Sequence, residues 1–96
     1  MNMINNILIK FKHGEEIICE AQDMGTHYSV KNCAMLLPVE NESWHLMTWM
    51  PYTTARDGVT IKKDDILLVA NLENDMQKYY EKWKLALAGK KVSIQN

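Results

Sequence analysis

The stretch Val59 to Leu72, VTIKKDDILLVANL, sets a short apolar run and a longer one on either side of four consecutive charges, Lys62, Lys63, Asp64 and Asp65. Charges packed that densely mark a turn, so the stretch reads as two short strands joined around the lysines. Upstream of it the apolar residues recur with a period of two. Downstream the period becomes helical.

In the first part of the chain Ile7, Ile9 and Phe11 alternate with Leu8, Lys10 and Lys12, which places three apolar side chains on one face of a strand. His13-Gly14 reads as a tight turn, because glycine accepts the positive φ that two-residue hairpins use. Ile17, Cys19 and Ala21 then alternate with Glu16, Glu20 and Gln22 in a second half-buried strand, and Ile18, which breaks the pattern, is expected to face a neighbour. Asp23-Met24-Gly25-Thr26 is the next turn. After it Tyr28 and Val30 point one way and His27, Ser29 and Lys31 the other. Asn32 and Cys33 interrupt this third strand, predicting a bend or bulge, and Pro38 ends the following apolar run or confines it to a sheet edge. Residues 40–43 form a polar loop.

Trp44 to Tyr52, WHLMTWMPY, is apolar on both faces, with Trp44, Leu46, Thr48 and Met50 on one side and His45, Met47 and Trp49 on the other. A barrel strand ordinarily shows one face to water. This one is expected to lie under a helix or against another subunit, with plain core packing as the alternative. Asp57-Gly58 is a turn pair closing the next loop. From Asn71 onward Leu72, Met76, Tyr79, Tyr80, Trp83 and Leu87 form one stripe of an amphipathic helix over about 72–88. Asn71 is the expected N-cap, Gly89 the expected stop, and residues 89–96 a loosely held tail.

The 96 residues make one domain, 1–96, with a barrel over about 4–71. A composition of 47% hydrophobic and 24% charged residues is that of a globular chain. The longest apolar stretches fall far short of the roughly 20 residues of a membrane helix. The N-terminus has no signal-peptide pattern, so a cytoplasmic location is expected. Eleven basic and twelve acidic residues leave a net charge of −1, so any nucleic-acid binding must use a local basic patch. Cys19 and Cys33 lack metal-ligand or CxxC spacing and read as small buried hydrophobes. The histidines stand on separate elements, and the pairs Glu15-Glu16 and Asp64-Asp65 sit beside turns as solvated charge. No catalytic triad, phosphate loop, cofactor box or metal set can be assembled, so the chain reads as a non-enzyme.

Five or so short strands closing on themselves, with a helix over one opening, is a small barrel. The order of features resembles the Sm-like (LSm, Hfq-type) family, a mainly β, SH3-type barrel. Gly14, Ile17, Cys19 and Ala21 fit the register of that family's first motif, with its RNA-contacting pair falling on His27 and Tyr28. Val59, Ile61, Lys62, Lys63, Ile66 and Leu68 fit the second. GEEIICE, the stretch from Lys31-Asn32 to Met35-Leu36, and Trp49-Met50-Pro51-Tyr52 are similar to Sm-like proteins of marine phages. The chain departs from the family in having its helix at the end of the barrel, Met24 at the first motif's Asp position, and a longer tract from Val39 to Gly58.

The resemblance implies a homo-oligomeric ring of roughly five to seven copies, closed when a late strand of one subunit pairs with the last strand of the next. It also implies single-stranded RNA as the partner, in phage control of RNA. In that reading His27 or Tyr28 stacks on a base while Lys62 and Lys63 hold phosphates. Trp44, Met47, Trp49, Ile66 and Leu68 are the candidate subunit contacts. The plain alternatives are a core role for Tyr28 and a solvated turn for the lysines. A different class also remains open, in which the same barrel is a protein-interaction or assembly module that binds no nucleic acid.

Overall fold

A computed structural model of the protein describes residues 3–39 and 43–94. The strands are β1 (Ile4–Phe11), β2 (Glu16–Asp23), β3 (His27–Val39), β4 (Ser43–Thr48), β5 (Val59–Lys62) and β6 (Ile66–Asn71), followed by the helix α1 (Asn74–Ile94). All pairings are antiparallel, in the order β4-β3-β2-β1-β6, with β5 pairing separately with β3. The chain is thus mainly β with one C-terminal helix, a bent sheet curled into a small barrel.

The curl comes from β3. It is long enough to serve two partners besides β2, pairing with β5 over His27 to Val30 and with β4 over Ala34 to Val39. Between these halves Asn32 takes φ 52°, and the register against β2 slips, so that three steps of β3 oppose two of β2. This is the bulge that the Asn32-Cys33 interruption predicts. The Asn32 side chain is tied back to β2, its Nδ2 donating to Glu20 Oε1 at 2.8 Å. Pro38 sits where β3 pairs with β4 alone, at the edge a proline tolerates.

The two faces of the curled sheet carry two apolar clusters. Inside the barrel lie Ile7, Ile9, Phe11, Ile17, Cys19, Ala21 and Val30, which the period-two alternation selects, together with Cys33 and Ile61. Outside, Ile18, Ala34 and Leu46 meet Tyr80 beneath α1, with Leu72, Met76, Tyr79 and Trp83 around them. Ile18 therefore faces α1, and the helix covers Leu46 on the outer side of β4. Both cysteines are buried and free. The Cys19 thiol is pushed well above its ordinary range by hydrogen bonding with Cys33 and by burial, which makes it a poor nucleophile.

Three element boundaries differ from the sequence reading. Asn71 ends β6 instead of capping the helix, and the first helical bond is accepted by the Glu73 carbonyl, from the Gln77 amide at 2.9 Å. The helix passes through Gly89 to Ile94. A single helical glycine costs only about 1 kcal/mol, and the residues after it, Lys90 and Lys91, are good helix formers. β4 stops at Thr48, because Met50 takes φ 49° and opens a turn whose carbonyl accepts from the Thr53 amide at 3.1 Å. Residues 40–42 of the expected polar loop lie outside the described residues.

Candidate nucleic-acid interface

The four charges that organise the sequence end β5 and form a single 3-10 turn, Lys63–Asp65. Two hairpin tips hold that turn. The Lys63 amide donates to Thr26 O at 3.3 Å, and Asp65 O accepts from the Lys12 amide at 2.9 Å. The tip preceding β3 is itself fixed, since Asp23 Oδ1 accepts from the Gly25 amide at 2.9 Å, with Gly25 at φ 96°. Lys62 and Lys63 are therefore presented by a backbone bonded on both flanks.

The register then decides which predicted residues meet. His27 pairs with Lys62 and Tyr28 with Ile61, so His27 and Lys62 share the outer face while Tyr28 turns toward the interior. Tyr28 is half-buried against the barrel cluster. Lys63, one step beyond the strand, lies over the Tyr28 ring at 5.0 Å from its centroid and pairs with Asp23 at 2.7 Å. That contact, with the Gly25 amide, holds the Asp23 carboxyl below its usual range. The four residues thus form two pairs on opposite faces of β3: an outer pair, His27 with Lys62, and an inner pair, Tyr28 with Lys63.

The outer pair borders an open depression of about 370 Å³ that also takes in Thr26, Thr60 and Asp64. His27 Nδ1 lies 3.1 Å from Thr26 Oγ1, which restrains the ring. Among the described residues no ion pair engages Lys62 or Lys31, whereas Lys10, Lys63 and Lys84 are all paired. A lysine without an ion pair beside a partly exposed ring can take a phosphate and a stacked base. Lys63 can do so only by giving up Asp23.

Of the candidate subunit contacts, Trp44, Met47 and Leu68 are exposed at 50%, 45% and 46%. Ile66 is half-buried against the interior. Trp49 also turns inward, stacking on Phe11 at 6.0 Å between centroids, because the chain leaves β4 just before it. Leu67 and Val69, which the sequence reading did not single out as contacts, are exposed as well. Their signal was present in the run Ile66 to Ala70, which is apolar on both faces and therefore suits a strand with an unsatisfied edge. A groove of about 330 Å³ runs between β4 and α1, lined by Met47, Pro51, Trp83 and Leu87 among others.

Among the described residues no cluster of His, Cys, Asp and Glu could hold a metal ion, and no helix is long and apolar enough to cross a membrane. Comparison with protein-family models and with curated proteins returns no match.

Proposed function

We propose that the chain is an Sm-like, ring-forming module that binds single-stranded RNA through the outer face of β3 and β5. The observation that carries this reading is the His27 and Lys62 pair, a partly exposed imidazole ring beside an exposed lysine that has no ion pair among the described residues, both bordering an open depression. Single-stranded nucleic acid is held by that combination of stacking and phosphate contact, and repetition around a ring builds a basic patch that a net charge of −1 per subunit hides. The motif resemblance supports the same reading. A phage setting and a cytoplasmic location are part of the proposal.

The two lysines separate under mutation. Lys62→Ala is expected to weaken binding of a short single-stranded RNA several-fold and to lower the salt slope by about one. Lys63→Ala is expected to change it little, since that side chain already serves Asp23. Equal effects of the two, or none from Lys62→Ala, would remove the outer pair from the site.

The exposure of Trp44, Met47, Leu67 and Leu68 also favours the second reading, an assembly module without nucleic acid. Native mass spectrometry with and without RNA divides the two. An oligomer that gains RNA supports the first reading, and one that ignores every RNA offered supports the second.

A further inference from the structure

The depression beside His27 and Lys62 holds one group that phosphate binding alone does not call for, the Asp64 carboxylate. Asp64 is the middle residue of the turn Lys63–Asp65, two positions after Lys62. The bonds that hold this turn are backbone bonds: the Lys63 amide to Thr26 O, the Lys12 amide to Asp65 O, and the Ile66 amide to Lys63 O. The Asp64 side chain takes no part in them. It is exposed, and among the described residues no ion pair and no side-chain hydrogen bond engages it. Of the two threonines that also border the depression, Thr26 already meets the His27 ring through its hydroxyl, and Thr60 is exposed. The acceptor left beside the ring and the cation is therefore the carboxylate.

A nucleotide joins its base to its phosphate through the sugar. With the base on His27 and the phosphate on Lys62, the sugar lies between them, over the depression that both residues border. A carboxylate there repels phosphate and accepts hydrogen bonds without being able to donate one, so it suits a sugar that has a donor to give. Ribose has that donor in its 2′-hydroxyl and deoxyribose does not. Dinucleotide-binding folds place an acidic residue on the same hydroxyl. Resting on the RNA reading above, we propose that Asp64 is the residue by which this site distinguishes RNA from DNA, accepting from the 2′-hydroxyl of the nucleotide stacked on His27. With DNA the carboxylate gives up water and gains no partner, which is a cost that the ribose hydroxyl offsets.

The test is fluorescence anisotropy with labelled uridine, deoxyuridine and 2′-O-methyluridine hexamers at one salt concentration, with assembled mass recorded for each variant. The methylated hexamer keeps the oxygen and loses only the donor. The wild type is expected to bind the uridine hexamer several-fold more tightly than either of the others. Asp64→Ala should bring the three together, chiefly by tightening the deoxyuridine and methylated hexamers, because the repulsion goes with the carboxylate. Asp65→Ala makes the same change of charge one residue away, outside the depression, and should leave the preference as it is. Both side chains are exposed, so the fold is expected to tolerate either change. Equal binding of the three hexamers by the wild type, a methylated hexamer that binds as well as the uridine one, or a preference that survives Asp64→Ala would overturn the assignment, and dependence on Lys62 would still leave the nucleic-acid reading standing. Failure of the wild type to bind any of the three would overturn both.

Discussion

Tyr80 is fully buried, and its hydroxyl donates to the carbonyl of Asn32 at 2.6 Å, so one helix side chain satisfies the backbone of the β3 bulge. Tyr80→Phe leaves that carbonyl without its donor and is expected to cost about 1–3 kcal/mol in urea unfolding. Tyr79→Phe removes an exposed bond of 3.2 Å to Trp44 O and should cost less than about 1 kcal/mol. The same burial, together with nearby negative groups, raises the Tyr80 phenol above its ordinary value, and the Cys19 thiol is raised too. Groups raised by folding contribute stability that is whole below their unfolded values and is lost as pH rises. Unfolding free energy should therefore decline above about pH 9, and Tyr80→Phe should flatten the part above about pH 10. A stability unchanged from pH 8 to 11 would contradict this assignment.

At the scale of elements, what fastens α1 to the sheet is a polar clamp as well as an apolar stripe. Lys84 Nζ lies 3.2 Å from Glu20 and 3.2 Å from Glu81, and 4.7 Å from the centroid of the Tyr80 ring, with its side chain only 16% exposed. Asn6 Nδ2 donates to Gln77 Oε1 at 2.9 Å and to Glu81 Oε2 at 2.7 Å, tying β1 to the same helix face. Glu20 links the clamp to the bulge through Asn32. Lys84→Ala is expected to cost about 1–2 kcal/mol, through the stem packed on Tyr80 as much as the charge. A double-mutant cycle with Glu20→Gln should be non-additive by at least about 0.5 kcal/mol. Additive costs would mean that helix and sheet are held by the apolar cluster alone.

For the whole molecule the decisive feature is that the sheet has two ends. β4 and β6 are each six residues long, lie at opposite ends of the strand order, and carry exposed apolar side chains. β6 offers Leu68 on one face and Leu67 and Val69 on the other; β4 lies beside the groove along α1. In the proposed ring these two different edges would be the surfaces that pair head to tail between subunits, since a strand edge is satisfied by another strand. Met47→Lys and Leu68→Lys are each expected to lower the assembled mass to that of a single chain. Mixed in equal amounts, the two variants retain one sound pair of edges between them and should form a 1:1 dimer that grows no further. Absence of that dimer in native mass spectrometry, with both variants folded, would exclude contact between the two edges.

The sequence by itself determined the strand faces, because alternation such as Ile7-Ile9-Phe11 and Ile17-Cys19-Ala21 follows from the two-residue period of a strand whatever it packs against. It determined the helix stripe and the bulge for the same reason: both are written in neighbouring residues. The helix ends were less legible, since Asn71 and Gly89 are cap residues by type and only the surrounding chain decides whether a cap forms. What tertiary structure alone decided was which residues meet across strands. Two adjacent residues of one strand face opposite ways, so His27 and Tyr28 belong to different faces. The register of β5 against β3 then gave Lys62 to the first, while the turn after β5 brought Lys63 to the second, where Asp23, forty residues away, neutralises it. Such partners are set by long-range pairing, and local spacing carries no record of them.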